Sequence, residues 1–102
     1  MIDDISDATA AAAFRRLVKH LQHRHDAENI DLMGLAGFCR NCLADWVMEA
    51  DHAAGGSIAK DEARHIIHGI PASEWKQKYQ TEATPERLKK MKESVAKNAD
   101  AS

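Results

Sequence analysis

The residues of this sequence best able to do chemistry are two thiols three positions apart, in the run Cys39-Arg40-Asn41-Cys42. On a helix that spacing puts both on one face. Such a pair serves as a redox couple, as half of a metal site, or as two small buried hydrophobes. A redox pair draws its low thiol pKa from a helix N-terminus. The apolar pattern places Cys39 about two turns inside a helix, where the dipole has faded. The buried and metal readings therefore precede the redox one. Six histidines, all between positions 20 and 68, supply further donors. His20, His23 and His25 cluster near one helix end, and His65 and His68 are spaced to share a face. Zinc is satisfied by two thiolates and two imidazoles, whereas three ligands and an open water position make a catalytic centre. His20 is the best partner for Cys39 and Cys42, because it precedes the chain reversal that leads back toward them; zinc or iron is the metal such a set would take. Arg40, Arg15, Arg16, Lys19 and Arg24 could line an anion pocket near the thiols, since arginine forks suit carboxylate or phosphate. Against this stands a solvated helix face paired with Asp26, Glu28, Asp31 or Asp45. The sequence has no HExxH, P-loop, GxGxxG or GxSxG pattern. No residue is assigned as a catalytic acid or base.

The elements that must position these groups read as helices. The first runs from about Ser6 to His25, capped by Ser6 or Asp7, with Phe14, Leu17, Val18 and Leu21 as one stripe. The second runs from about Leu32 to Ala53, with Asp31 as N-cap and Ile30 and Leu35 as a hydrophobic staple. It is apolar on most of its circumference, the pattern of a central helix or of one facing a second chain. Gly34 and Gly37 cost it about 1 kcal/mol each, which close approach by a neighbouring backbone would offset. A short third helix covers Lys60 to His68 and stops at Gly69. A fourth spans about Pro71 to Gln80. A fifth begins at Thr84-Pro85, carries only Leu88, Met91 and Val95 as large apolar residues, and reads as a weakly held end.

Composition agrees with that reading. The 102 residues are 44% hydrophobic and 29% charged, with a formal net charge of −2. This excludes a disordered chain and disfavours a general nucleic-acid coat or a polybasic membrane binder. Few aromatics and few turn formers disfavour a β-sandwich. No apolar run approaches the roughly 18 residues of a membrane span, and the acidic first residues lack the basic start of a secretory signal. Two cysteines make no disulfide framework, so reduced thiols in the cytoplasm are expected. Titration of all six histidines would carry the formal charge from −2 toward +4 in mild acid.

Several runs match a known pattern: Phe14-Arg15-Arg16-Leu17-Val18, His20-Leu21, Asn29-Ile30-Asp31-Leu32-Met33 and Leu35-Ala36-Gly37-Phe38-Cys39-Arg40-Asn41-Cys42-Leu43. Asp61-Glu62-Ala63-Arg64, Gly69-Ile70-Pro71, Glu74-Trp75-Lys76 and Gln80-Thr81-Glu82-Ala83-Thr84 extend it. Over roughly residues 10 to 84 the chain resembles the short bacterial proteins grouped as domain of unknown function 1244. The resemblance implies a small all-helical fold and no particular activity. It also implies that His20 belongs to the shared pattern, whereas His23, His25, His65 and His68 do not.

The expectation is an all-α fold, a compact bundle of four to five helices around a central apolar helix. One domain spans residues 6–97, followed by a disordered tail at 98–102. The expected protein is a homodimeric interaction or regulatory module. The alternative is a metal or thiol site at Cys39, Arg40, Asn41 and Cys42, with His20 as third ligand or proton donor, Arg40 orienting an anion and Arg16 among the neighbouring cations. Nucleic acid and membrane are not expected partners.

Overall fold

Ser6 starts the first long helix by accepting a hydrogen bond from the Thr9 N–H at 3.1 Å. This relieves one of the four N–H groups that a helix start leaves unpaired. The computed structural model describes residues 1–100, Asp100 by its backbone alone. Its order is a 3-10 turn Ile2–Asp4, then α1 (Asp7–His23), α2 (Asn29–Ala36), α3 (Arg40–Ala53), α4 (Lys60–His68), α5 (Ala72–Tyr79) and α6 (Pro85–Ala96). A second 3-10 turn covers Lys97–Asp100. The fold is all-α, and no strand occurs among the described residues. None of its helices is long and apolar enough to cross a membrane.

The single long helix expected from about Leu32 to Ala53 is two helices. Gly37 adopts φ +72°, a left-handed conformation that closes α2 through a bond from its N–H to the Met33 carbonyl. The left-handed region is cheap for glycine alone, so the apolar stripe is interrupted here although its residue pattern continues. A Cβ on Gly37 would also collide with the Asn98 side chain, whose amide donates to the Gly37 carbonyl at 2.8 Å. Asn98 and the last residues of the Lys97–Asp100 turn belong to the 98–102 stretch expected to be a disordered tail; residues 101 and 102 lie outside the described residues. The start of α2 also differs from expectation. Asp31 is not the N-cap but the third helical residue, and its carboxylate accepts from the Glu28 N–H at 3.1 Å. Gly34 is where α6 approaches: a Cβ there would lie 3.4 Å from the Lys90 side chain and 3.7 Å from the Met91 backbone nitrogen.

The core brings Val18 and Leu21 of α1 against Leu43 and Ala44 of α3 and Ala63 and Ile67 of α4. Thus α3, the second part of the expected helix, is central, while α2 pairs with α6. The α6 helix is better held than its few apolar residues suggest. Thr84 caps it through the Arg87 N–H. Arg87 reaches back to Asp31 at 2.9 Å and to Glu28 at 2.7 Å.

Candidate functional site

The break at Gly37 moves the cysteine pair. Cys39 is the N-cap of α3, with extended backbone, and Cys42 occupies the third helical position. The thiols therefore stand at a helix N-terminus and not two turns inside a helix. That restores a field favouring thiolate. Burial opposes it. Cys39 is buried, and desolvation pushes its thiol above the ordinary value, while the N–H groups of Cys42 and Asn41 pull it down and the Cys42 thiol pushes it further up. Desolvation wins, so Cys39 is a protonated thiol in the resting fold. Cys42 is half-buried, with its sulfur 4.0 Å from the Met33 sulfur. Both cysteines are free thiols.

Arg40, between them, has a different task. Its side chain is fully buried. One terminal nitrogen donates to the Ala27 carbonyl at 2.7 Å and to Asn29 Oδ1 at 3.1 Å. The other donates to the Leu21 and Arg24 carbonyls, both at 2.9 Å. Those two carbonyls belong to the C-terminal turn of α1, the negative end of its dipole. The guanidinium carbon also lies 4.9 Å from the centroid of the Trp75 ring, within cation–π range. Arg40 thus closes α1, fixes the 24–29 turn and seats α5, with no carboxylate among these partners. Burial lowers its pKa from the ordinary value, against the raising effects of Cys39 and Asp26. With its terminal nitrogens committed to carbonyls, Arg40 is not available to orient an anion, as the sequence had suggested.

The other expected residues lie apart. His20 and Arg16 are exposed on α1. Among the described residues no three His, Cys, Asp or Glu side chains are placed to hold a metal ion, so His20 is not brought to the cysteines. His65 is exposed whereas His68 is buried, its Nδ1 2.8 Å from the Arg64 carbonyl and its ring edge-on to Trp75 at 5.2 Å. Burial holds His68 below its ordinary pKa, although its bond to Arg64 raises it and the charges of Arg40 and Arg64 lower it further. His25 stacks on Tyr79 at 4.1 Å. Arg24 pairs with Asp26 at 2.8 Å, on the solvated face. Asn41 lines the cavity beside Cys39 and a second, more polar one with Arg64 and His68.

Two features escaped sequence reasoning. One is Met33, a third sulfur beside the thiols. The other is an open groove of about 350 Å³ lined by Ala11, Phe14, Val18, Val47 and Ile66, with Arg15 and Lys19 also in its lining.

Residues 27–93, from the Ala27 turn through most of α6, match the model of the family described as protein of unknown function (DUF1244). The chain belongs to this family. The matched stretch contains Arg40 and both thiols, while all of α1, and with it the Leu21 and Arg24 carbonyls that Arg40 holds, lies outside it. No curated protein matches the chain.

Proposed function

We propose that this DUF1244 protein works as a homodimeric helical interaction module, with α1 at the subunit interface. The observation that supports this most is surface. A folded monomer of this mass exposes about 5,700 Å². This chain exposes 7323 Å². The difference, roughly 1,600 Å², exceeds the ~800 Å² that each partner contributes to a standard interface. The Cα radius of gyration, 14.7 Å, is likewise larger than the ~13 Å of a compact chain of this length.

The α1 helix is exposed along most of its length. Only Val18 and Leu21 of its 17 residues are buried. The alanines of its first turns face solvent, apart from a half-buried Ala11. Charge selects the occupant. The acidic end, Asp3, Asp4 and Asp7, precedes a basic half with Arg15, Arg16, Lys19 and Arg24. A second copy laid antiparallel puts each acidic end beside the other's basic half, and a two-fold axis satisfies both ends at once. The groove then receives apolar side chains from the partner's α1, and Ile66, 46% exposed on α4, becomes covered.

Light scattering tests this with the wild type and Ile66→Glu. The expected masses are twice the 11.3 kDa chain mass for the wild type and one chain mass for the variant. A variant as dimeric as the wild type contradicts the α1 groove as the interface. A monomeric wild type at tens of micromolar contradicts the dimer.

A further inference from the structure

We propose that Cys39, Cys42 and Met33 form a binding site for a soft monovalent d10 cation, Cu(I). The geometry carries it. The two thiols flank one helical turn at the start of α3, the thiol-to-thioether distance from Cys42 to Met33 is 4.0 Å, and Met33 and Cys39 line one cavity of about 430 Å³. A metal bound by three sulfurs in a plane, at the ~2.3 Å typical of metal–thiolate bonds, holds those sulfurs about 4.0 Å apart. The Cys42–Met33 edge therefore already has the length of such a triangle.

The donor chemistry selects the ion. Zinc in proteins takes four ligands from thiolate, imidazole and carboxylate. Here no third side chain of those classes joins the thiols among the described residues. The third donor is a thioether, and two thiolates with a thioether are a soft set that favours Cu(I). Met91 lines the same cavity and adds a further soft surface around the ion. Binding takes Cu⁺ from a thiol-ligated or chloride-ligated donor, forms two copper–thiolate bonds and releases one proton from each thiol. The site's charge becomes −1, which the positive end of the α3 dipole stabilises, since Cys39 is its N-cap and Cys42 its third residue. No electron is transferred. This site does not depend on the dimer, since all three sulfurs lie on one chain.

The test is an anaerobic Cu(I) titration against bicinchoninate, using the wild type, Cys42→Ser and Met33→Leu, with circular dichroism to confirm the helices. One Cu(I) per chain is expected, with loss of binding in Cys42→Ser and affinity about tenfold weaker in Met33→Leu. X-ray absorption on the copper-loaded wild type needs no variant and should show a first shell of sulfur alone. Failure to compete for copper, binding unchanged in Cys42→Ser or Met33→Leu, or nitrogen and oxygen neighbours at the metal would overturn the proposal.

Discussion

Arg40 and Arg87 both tie the start of α2 to other helices, yet their surroundings are opposites. Arg40 lies in the interior and spends its charge on the carbonyls of Leu21, Arg24 and Ala27 and on the Asn29 amide oxygen. Arg87 lies at the rim and spends its charge on the carboxylates of Glu28 and Asp31 and on the Thr81 hydroxyl. Carbonyls do not titrate; carboxylates do. Water can replace a rim cation, but it cannot reach the carbonyls around a buried one. The first clasp is therefore expected to be strong and to persist in acid, opposed there only by the charge His68 gains beside Arg40, and the second weaker and more sensitive to acid and salt.

The largest expected effect follows from removing the interior clasp. Arg40→Met keeps volume and loses the donors, stranding the buried Leu21 carbonyl and the half-buried carbonyls of Arg24 and Ala27. The loss in unfolding free energy should be about 3–5 kcal/mol by urea denaturation. Arg40→Lys should recover only part of it, because a point charge with three donors cannot reproduce the planar fork or its stacking on Trp75. A loss near zero for Arg40→Met would place the clasp's energy elsewhere.

A middle effect concerns the joint between α2 and α3, which places Arg40 at the start of α3. Gly37→Ala forces a left-handed Ala and a contact with Asn98, and should cost about 1–2 kcal/mol in the same assay. If Gly37→Ala were neutral, α2 and α3 could run as one helix and the N-terminal placement of Cys39 would not hold.

The smallest effect is expected at the rim. Burial alone would raise the Glu28 carboxyl, but hydrogen bonds from Thr81 and Arg87 hold it below the ordinary 4.5. Its stabilising contribution is thus full above the unfolded value and disappears as pH falls below about 4.5 and through the folded value. Arg87→Met should destabilise the protein less than Arg40→Met at neutral pH, because Glu28 keeps both of its Thr81 bonds. The gap to wild type should close in acid and narrow in added salt. A gap that stays constant with pH would mean that Arg87 acts by packing its stem and not through Glu28.

The same two arginines show what could be read from the sequence. Local chemistry was legible. Ser6 and Thr84 cap helices through their own side chains, Pro85 sits at a first helical position, and Phe14, Val18 and Leu21 of the α1 stripe pack into the core, whereas Leu17 stays exposed. Gly34 and Gly37 stood out as costs, and Gly34 does mark the approach of α6. Their second consequence was hidden, because the apolar pattern runs across Gly37 and periodicity alone joins α2 to α3. The role of Arg40 was also hidden. Its main partners are backbone carbonyls, which every residue carries, so no side-chain pattern at 21, 24 or 27 announces them. Charge pairing points toward carboxylates, and it finds the Arg24–Asp26 pair and the Asp31 rim more readily than a carbonyl nest. Met33 escaped for the same kind of reason: a thioether reads as apolar until the fold sets it beside a thiol.

The arginine of the Cys39-Arg40-Asn41-Cys42 run builds the fold, leaving the sulfurs free for chemistry. Urea unfolding of wild type, Arg40→Met and Arg87→Met at about pH 7 and about pH 3.5 tests it most directly. An Arg40→Met gap of about 3–5 kcal/mol is expected at neutral pH, reduced but still large in acid, where His68 next to Arg40 becomes charged, beside an Arg87→Met gap that narrows as Glu28 is protonated. An Arg40→Met protein as stable as wild type, or a gap that closes in acid alongside that of Arg87→Met, would contradict it.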